Sequence, residues 1–236
     1  MSSTGRREEI HSHSGWLVPF AFLFAILLLS GLFLGWYLRP GPRSQVAPTA
    51  QSGLVRLGLH GVSFAIPANY IESAKARAGG DVESVTLVTL FPSWQGYSQG
   101  QAQLFSGNAP DSSLIRLSLR GDSNSLDARD RLDRIYRPQF ANPQGEPGPF
   151  GLTRYGFVPE SGYGNEDLFV AENEKSLVLL LCEQPSAEFP SPSCLAIDRP
   201  LASDVSYSYR FKRAYLGRWQ ELATGVDRLI AKFRQR

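Results

Sequence analysis

The sequence predicts an α+β protein in which an N-terminal transmembrane helix precedes a mainly antiparallel sheet domain with an amphipathic C-terminal helix packed on it. Three observations carry this reading: an uncharged apolar run near the N-terminus, several short segments with period-two alternation, and a last stretch whose apolar residues recur at helical spacing. The chain has 236 residues, 42% hydrophobic and 19% charged, the composition of a globular rather than a disordered chain.

From Trp16 to Leu38 the sequence WLVPFAFLFAILLLSGLFLGWYL contains no charge. At about 1.5 Å per residue such a run spans roughly 35 Å as a helix, enough for a bilayer core of about 30 Å. Trp16, Trp36 and Tyr37 stand where headgroups would lie, and Arg39 and Pro40 close the segment. Pro19 falls in the first turn, where its missing N–H costs little. A cleaved signal peptide would have a shorter apolar region and an A-x-A-like cleavage site, and VAPTA fits that site poorly, so the run reads as an uncleaved signal anchor. Gly31 and Gly35 form G-x-x-x-G, a small face that lets helices approach and that makes the anchor a candidate for homodimer packing in the membrane.

Orientation is decided by cysteine, because Arg6 and Arg7 on one flank balance Arg39 and Arg43 on the other. Cys182 and Cys194 are the only cysteines and flank a short loop. A disulfide there persists only in an oxidising compartment; the alternative is two reduced core cysteines in a cytosolic domain. The expected organisation is a cytoplasmic tail (1–14), a transmembrane signal anchor (15–38), a Pro-, Ser- and Gly-rich flexible linker (39–53) and a periplasmic α+β domain (54–236), held at a bacterial inner membrane.

Within the domain, LVRLGLHGVSFAIP alternates on both sides of His60-Gly61 and predicts a hairpin. SVTLVTLF and LIRLSLR follow as strands, and DLFVAENEKSLVLLLCE reads as two strands joined by a polar turn at Glu172 to Lys175. Leu177 to Leu181, apolar on both faces, belongs at the centre of the sheet, whereas VSYSYRF alternates and keeps one solvated face. SNSLDARDRLDRIYRPQF predicts a helix capped by Asn124, with an apolar stripe of Ala128, Leu132, Ile135 and Tyr136 and a stop at Pro138. Asn142 to Gly151 reads as a long surface loop. The last helix buries Trp219, Leu222, Ala223, Val226, Leu229, Ile230 and Phe233.

Catalytic candidates are few. GYSQG, Gly96 to Gly100, fits the G-x-S-x-G nucleophile pattern and makes Ser98 a candidate for a periplasmic serine hydrolase. No histidine follows it, and neither His11 and His13 before the anchor nor His60 at a turn offers the expected partner in that order. The preferred reading makes SWQGYSQG a loop whose Trp94 and Tyr97 cover an edge of the core. His11-x-His13 is read as a solvated tail rather than a metal site. Asp127, Asp130 and Asp133 alternate with arginines as a salt-bridged helix face. No cofactor and no metal is expected.

Residues 210 to 236 hold eight basic and two acidic groups, against fourteen and eighteen in 39 to 209. A membrane-tethered external domain makes nucleic acid an unsuitable partner, so the basic C-terminal helix points to anionic headgroups or an acidic partner. IPANYI, LFPSWQGYS and YSYRF before Trp219 together resemble uncharacterised single-pass, membrane-anchored proteins of proteobacteria. That resemblance implies an inner-membrane location and a structural role for GYS; it brings no activity. The function expected is envelope binding or scaffolding, with a serine hydrolase or a small-ligand sensor as alternatives.

Overall fold

A computed structural model describes residues 17–37, 48–121, 126–173, 176–187, 190–202 and 204–235. The chain forms two compact units, Met1–Arg43 and Ser44–Arg236. In the first, α1 (Leu17–Tyr37) is a 21-residue helix. It is apolar on every side, and from Val18 to Trp36 it is long and apolar enough to cross a membrane. Beyond the helix's own backbone, a Cβ added at Gly31 or Gly35 would meet nothing within 4 Å among the described residues, so both leave an open notch in the helix surface. The expected tail, Trp16, the histidine pair and the flanking arginines lie outside the described residues. Part of the expected linker packs on the second unit, where the Gly53 carbonyl accepts a hydrogen bond from Ala68 N at 2.9 Å.

The second unit opens with the predicted hairpin, β1 (Leu54–Leu59) and β2 (Val62–Pro67), turned by His60 and Gly61, both at positive φ. Their register sets Leu57 opposite Phe64, and Leu57, Leu59, Phe64 and Ile66 are buried. A short β3 (Gly80–Asp81) pairs parallel to β1. The large sheet is built from β4 (Ser84–Leu90), β5 (Leu114–Gly121), β6 (Glu146–Pro147), β7 (Thr153–Gly156), β8 (Glu166–Asn173), β9 (Ser176–Glu183), β10 (Ser193–Ala202) and β11 (Val205–Lys212). Its order is β4-β5-β11-β10-β9-β8-β7-β6, with antiparallel neighbours throughout. The apolar strand β9 is interior, as its two-sided pattern requires.

Two layers cover this sheet. On one face, α4 (Trp219–Phe233) and the β1–β2 hairpin enclose the main core. The helix buries Leu222, Ala223, Val226, Leu229, Ile230 and Phe233, as the spacing predicts, together with Gly225. Each such large apolar side chain removed from water is worth about 1.5–3 kcal/mol. On the other face, α2 (Ala102–Ser106) lies at the β4–β5 end, where Phe105 packs on Val88, Leu90 and Leu114. A second segment covers β8 to β10 and builds a separate core of Leu132, Tyr136, Phe140, Phe157 and Leu168.

That second segment corrects the predicted helix in three ways. Asn124 lies outside the described residues, and the cap is Asp127, whose side chain accepts from Asp130 N at 2.7 Å. Only α3 (Ala128–Arg131) is α-helical; it widens into a π-helical turn, Leu132–Tyr136, and tightens into a 3-10 turn, Arg137–Gln139. Pro138 therefore sits inside the helical path instead of ending it, because the first positions of a new turn need no backbone donor. The loop expected over Asn142 to Gly151 contains β6, which forms the outer edge of the sheet, where its Pro147 is tolerated.

Candidate functional site

The alternation of β8 sends Leu168 and Val170 toward the α3 side and Phe169 toward the main core. Asp167 shares the inward direction, standing opposite Cys182 on β9 and Gly156 on β7. Its side chain is 1% exposed, so its charge must be met inside the protein. Four donors meet it. Oδ1 accepts from Arg154 Nε at 3.0 Å, Arg154 Nη2 at 2.8 Å and Gln184 Nε2 at 3.1 Å, while Oδ2 accepts from Arg213 Nη2 at 2.8 Å. Arg213 also donates to the Glu183 carbonyl at 2.7 Å and lies over the Phe169 ring, 5.2 Å from its centroid. The hydrogen bonds that it donates to Asp167 hold the Arg154 guanidinium above its ordinary pKa.

Above this network opens a cleft of about 620 Å³ lined by Phe150, Arg154, Phe169, Pro185, Arg213 and Gly217, among others. Phe150 forms its rim and is 60% exposed, at a left-handed φ of 62°. Two contacts hold it there. Its ring rests on Gly217, where an added Cβ would stand 3.0 Å from Cζ, and its carbonyl accepts from Trp219 Nε1 at 3.3 Å. An exposed aromatic ring beside two guanidinium groups is chemistry for recognition, and Arg and aromatic residues dominate the energetics of protein interfaces.

Ser98 has an ordinary extended backbone, φ −137° and ψ 151°, not the strained turn of a nucleophile elbow. Its hydroxyl donates to Gln101 Oε1 at 3.2 Å, and an amide oxygen is no general base. His60 lies against Gly121. GYS is instead part of a packed corner: Tyr97 N donates to the Asn69 carbonyl at 2.8 Å, Asn69 Nδ2 donates to the Tyr97 carbonyl at 3.1 Å, and Tyr70 Oη donates to the Trp94 carbonyl at 2.9 Å. A Cβ on Gly96 would come within 2.8 Å of both Asn69 and Tyr70. Cys182 and Cys194, directly opposite in the β9–β10 register and fully buried, form a disulfide. Asp130 and Asp133 pair with Arg134 and Arg137 at 3.3 and 3.1 Å, the salt-bridged face that the spacing implies.

The charge of the C-terminal region is distributed differently from the simple reading. Within α4, Glu221 and Asp227 balance Arg228 and Lys232. The basic excess lies on either side of it: in β11 and the 3-10 turn Arg213–Arg218, where Arg213 serves the buried network and Arg218 pairs with Glu221 at 2.8 Å, and in the arginines that follow Phe233.

Sequence reasoning missed the Asp167 cleft. The signal was present: in EDLFVAEN a carboxylate shares parity with Phe169 on an apolar face, a position that requires a buried partner. Nothing local shows that the partners stand 13 residues upstream and 46 residues downstream.

No family model and no curated protein sequence matches the chain. Among solved structures, FrpD, an iron-regulated outer membrane lipoprotein of Neisseria meningitidis, is similar with a TM-score of 0.46 and 14% identity, covering 80% of this chain and 96% of that one. Smlt3025, an immunity protein of the Stenotrophomonas maltophilia type IV secretion system, is similar with a TM-score of 0.56 and 19% identity, covering 82% of this chain and 98% of that one. The likeness to Smlt3025 is one of fold, and it extends over nearly the whole of that protein.

Proposed function

We propose that this chain is a single-pass protein of a bacterial inner membrane, N-terminus in the cytoplasm, whose periplasmic domain binds and neutralises a protein that reaches the envelope through a secretion system. The fold shared with Smlt3025, itself an immunity protein, carries this reading. Helix α1, long enough to span a bilayer, and the Cys182–Cys194 disulfide support the location, since such a bond persists in oxidising compartments. The partner docks in the cleft, with an apolar group on Phe150 and an anionic group on Arg154, whose side chain is 42% exposed. Gly31 and Gly35 offer a face on which two anchors can pack. The serine hydrolase reading is weaker, because Ser98 is bonded to Gln101 rather than to a base.

The test is photo-crosslinking in intact cells with a photoreactive residue at position 150, followed by mass spectrometry. The expected result is a discrete adduct with a secreted protein that is lost in Arg154→Ala and absent when the probe replaces Arg228 on α4. Equal capture at both positions would exclude the cleft as the docking site. Maleimide labelling of whole cells carrying Arg228→Cys, an exposed position on α4, checks the topology: protection of that cysteine from an impermeant reagent that reaches the periplasm would put the domain in the cytosol.

A further inference from the structure

Between α2 and α3 the outward face of β5 and β11 is uncovered by either helix, and its charged residues, Arg116, Arg120, Arg210 and Lys212, set among serines, are all basic. Arg116 on β5 stands directly opposite Arg210 on β11, and Lys212 follows two residues on, on the same face. Like charges directly opposite each other weaken a strand pair. Arg116 is paired with Glu72 at 3.1 Å, whereas Arg210 reaches Glu183 only at 3.6 Å, and the other oxygen of Glu183 accepts from Ser193 N at 2.7 Å. Glu183 faces Glu166 across β8–β9, where burial and that neighbour raise the Glu166 carboxyl above its usual range.

Lys212 is 8% exposed, and its ammonium donates to Asn108 Oδ1 at 2.7 Å, the Ser191 carbonyl at 2.8 Å and Ser193 Oγ at 3.4 Å. All three acceptors are neutral. Its charge is thus held in the protein without a contacting carboxylate among the described residues; burial lowers its pKa, Arg116 and Arg210 lower it further, and the more distant Glu183 carboxylate offsets part of this. Beside it the Ser191 hydroxyl is buried and has no hydrogen-bond partner among the described residues. Asn108, Ser112, Arg116, Ser193, Arg210 and Lys212 all line one pocket of about 120 Å³, whose described lining includes no carboxylate. A pocket of that volume has room for a single phosphate group.

We propose that this pocket binds one phosphate-class oxyanion, bridging Arg116 and Arg210 and offsetting the charge of Lys212. Guanidinium forks match phosphate oxygens in charge and geometry. The group is either free phosphate or the phosphodiester of an anionic lipid headgroup, and this site is independent of the cleft proposed to hold a protein partner.

The test titrates the full chain in nonionic detergent, at low ionic strength, with inorganic phosphate and separately with glycerophosphoglycerol, a deacylated headgroup, by calorimetry. One-site saturable binding is expected for at least one ligand: preference for inorganic phosphate identifies a free anion, and preference for the diester identifies a headgroup. Arg116→Gln and Arg210→Gln, both at half-exposed side chains, each weaken binding about tenfold or more. Arg228→Gln on the exposed side of α4 leaves it unchanged. The proposal is overturned if neither ligand saturates, if the two strand variants bind as the parent does, or if Arg228→Gln weakens binding equally.

Discussion

Asp167→Asn is the sharpest probe of the cleft floor. The substitution keeps the shape of the side chain but removes a charge that is 1% exposed and accepts from Arg154, Arg213 and Gln184. The new amide NH₂ also meets guanidinium N–H groups, donor against donor. Breaking a buried ion pair by removing one partner costs about 3–5 kcal/mol. Here the lower end applies, because Arg154 is 42% exposed and can turn toward water, whereas Arg213, at 20%, has less freedom. A loss of about 3 kcal/mol lowers the melting temperature of a domain of this size by about 6–12 °C. Near-ultraviolet circular dichroism of the full chain in detergent reads the transition. A shift under about 2 °C would mean that the two arginines need no buried counter-charge. A companion variant with Arg154→Met, Asp167→Leu and Arg213→Met together should fall by much less than Asp167→Asn, because well-packed apolar replacements of a whole buried ionic cluster are often neutral.

Three further outcomes are expected. Replacing Cys182 and Cys194 together by serine costs about 3 kcal/mol in the loop-entropy model, read as a lower denaturation midpoint; an unchanged midpoint would show that the bridge adds nothing. Gly225→Ala should destabilise, although alanine is worth about 1 kcal/mol over glycine inside a helix, because the new Cβ would overlap the Trp94 indole, and overpacking costs about 1–3 kcal/mol. Adding Trp94→Leu should reverse the loss, and a Gly225→Ala protein more stable than the parent would refute the contact. Burial pushes the Tyr136 and Tyr209 phenols up to about 12, against about 10 when unfolded. The folded state then holds protons that the unfolded chain releases, so stability is full below about pH 10 and falls as pH rises toward 12. Tyrosinate absorbance should show a late-titrating class, and a single transition near pH 10 would exclude it.

What could be read in the sequence was whatever depends on local period. The β1–β2 hairpin, the strands β4, β5, β8, β9 and β11, and the buried stripe of α4 all follow from alternation or 3.6-residue spacing. What could not be read depends on tertiary context. The strand β10, with register shifts after Ala196 and Pro200, breaks the period-two pattern and contains a proline. The π-helical turn at Leu132–Tyr136 has no local signature that separates it from a continuous helix. Gly225 was visible as a costly residue in a helix interior, but only Trp94, 131 positions earlier, explains it. The cleft is the extreme case, because its members come from β7, β8, the end of β9 and the turn after β11.

That dispersion also bears on how the cleft works. Asp167 receives Arg154 from β7, Gln184 from just beyond β9 and Arg213 from just beyond β11, and Arg213 returns to the Glu183 carbonyl. The Cys182–Cys194 bridge joins β9 to β10 beside the same carboxylate, since Cys182 is the β9 partner of Asp167. Every strand from β7 to β11 is thus tied at one end of the sheet by a covalent bond or a charged hydrogen bond in addition to its backbone ladder. Such a floor has few ways to rearrange, so the guanidinium of Arg154 and the ring of Phe150 are held where they stand before the proposed partner would dock. Preorganisation of this kind removes an ordering cost of about 0.5–1.5 kcal/mol for each long side chain that would otherwise be immobilised on binding. Loosening the floor should therefore weaken partner capture even when Phe150 and Arg154 are untouched. Reducing the disulfide is the direct way to see it, as a loss of crosslinking at position 150 that precedes unfolding; capture that persists until the domain unfolds would show that the floor does not set the cleft.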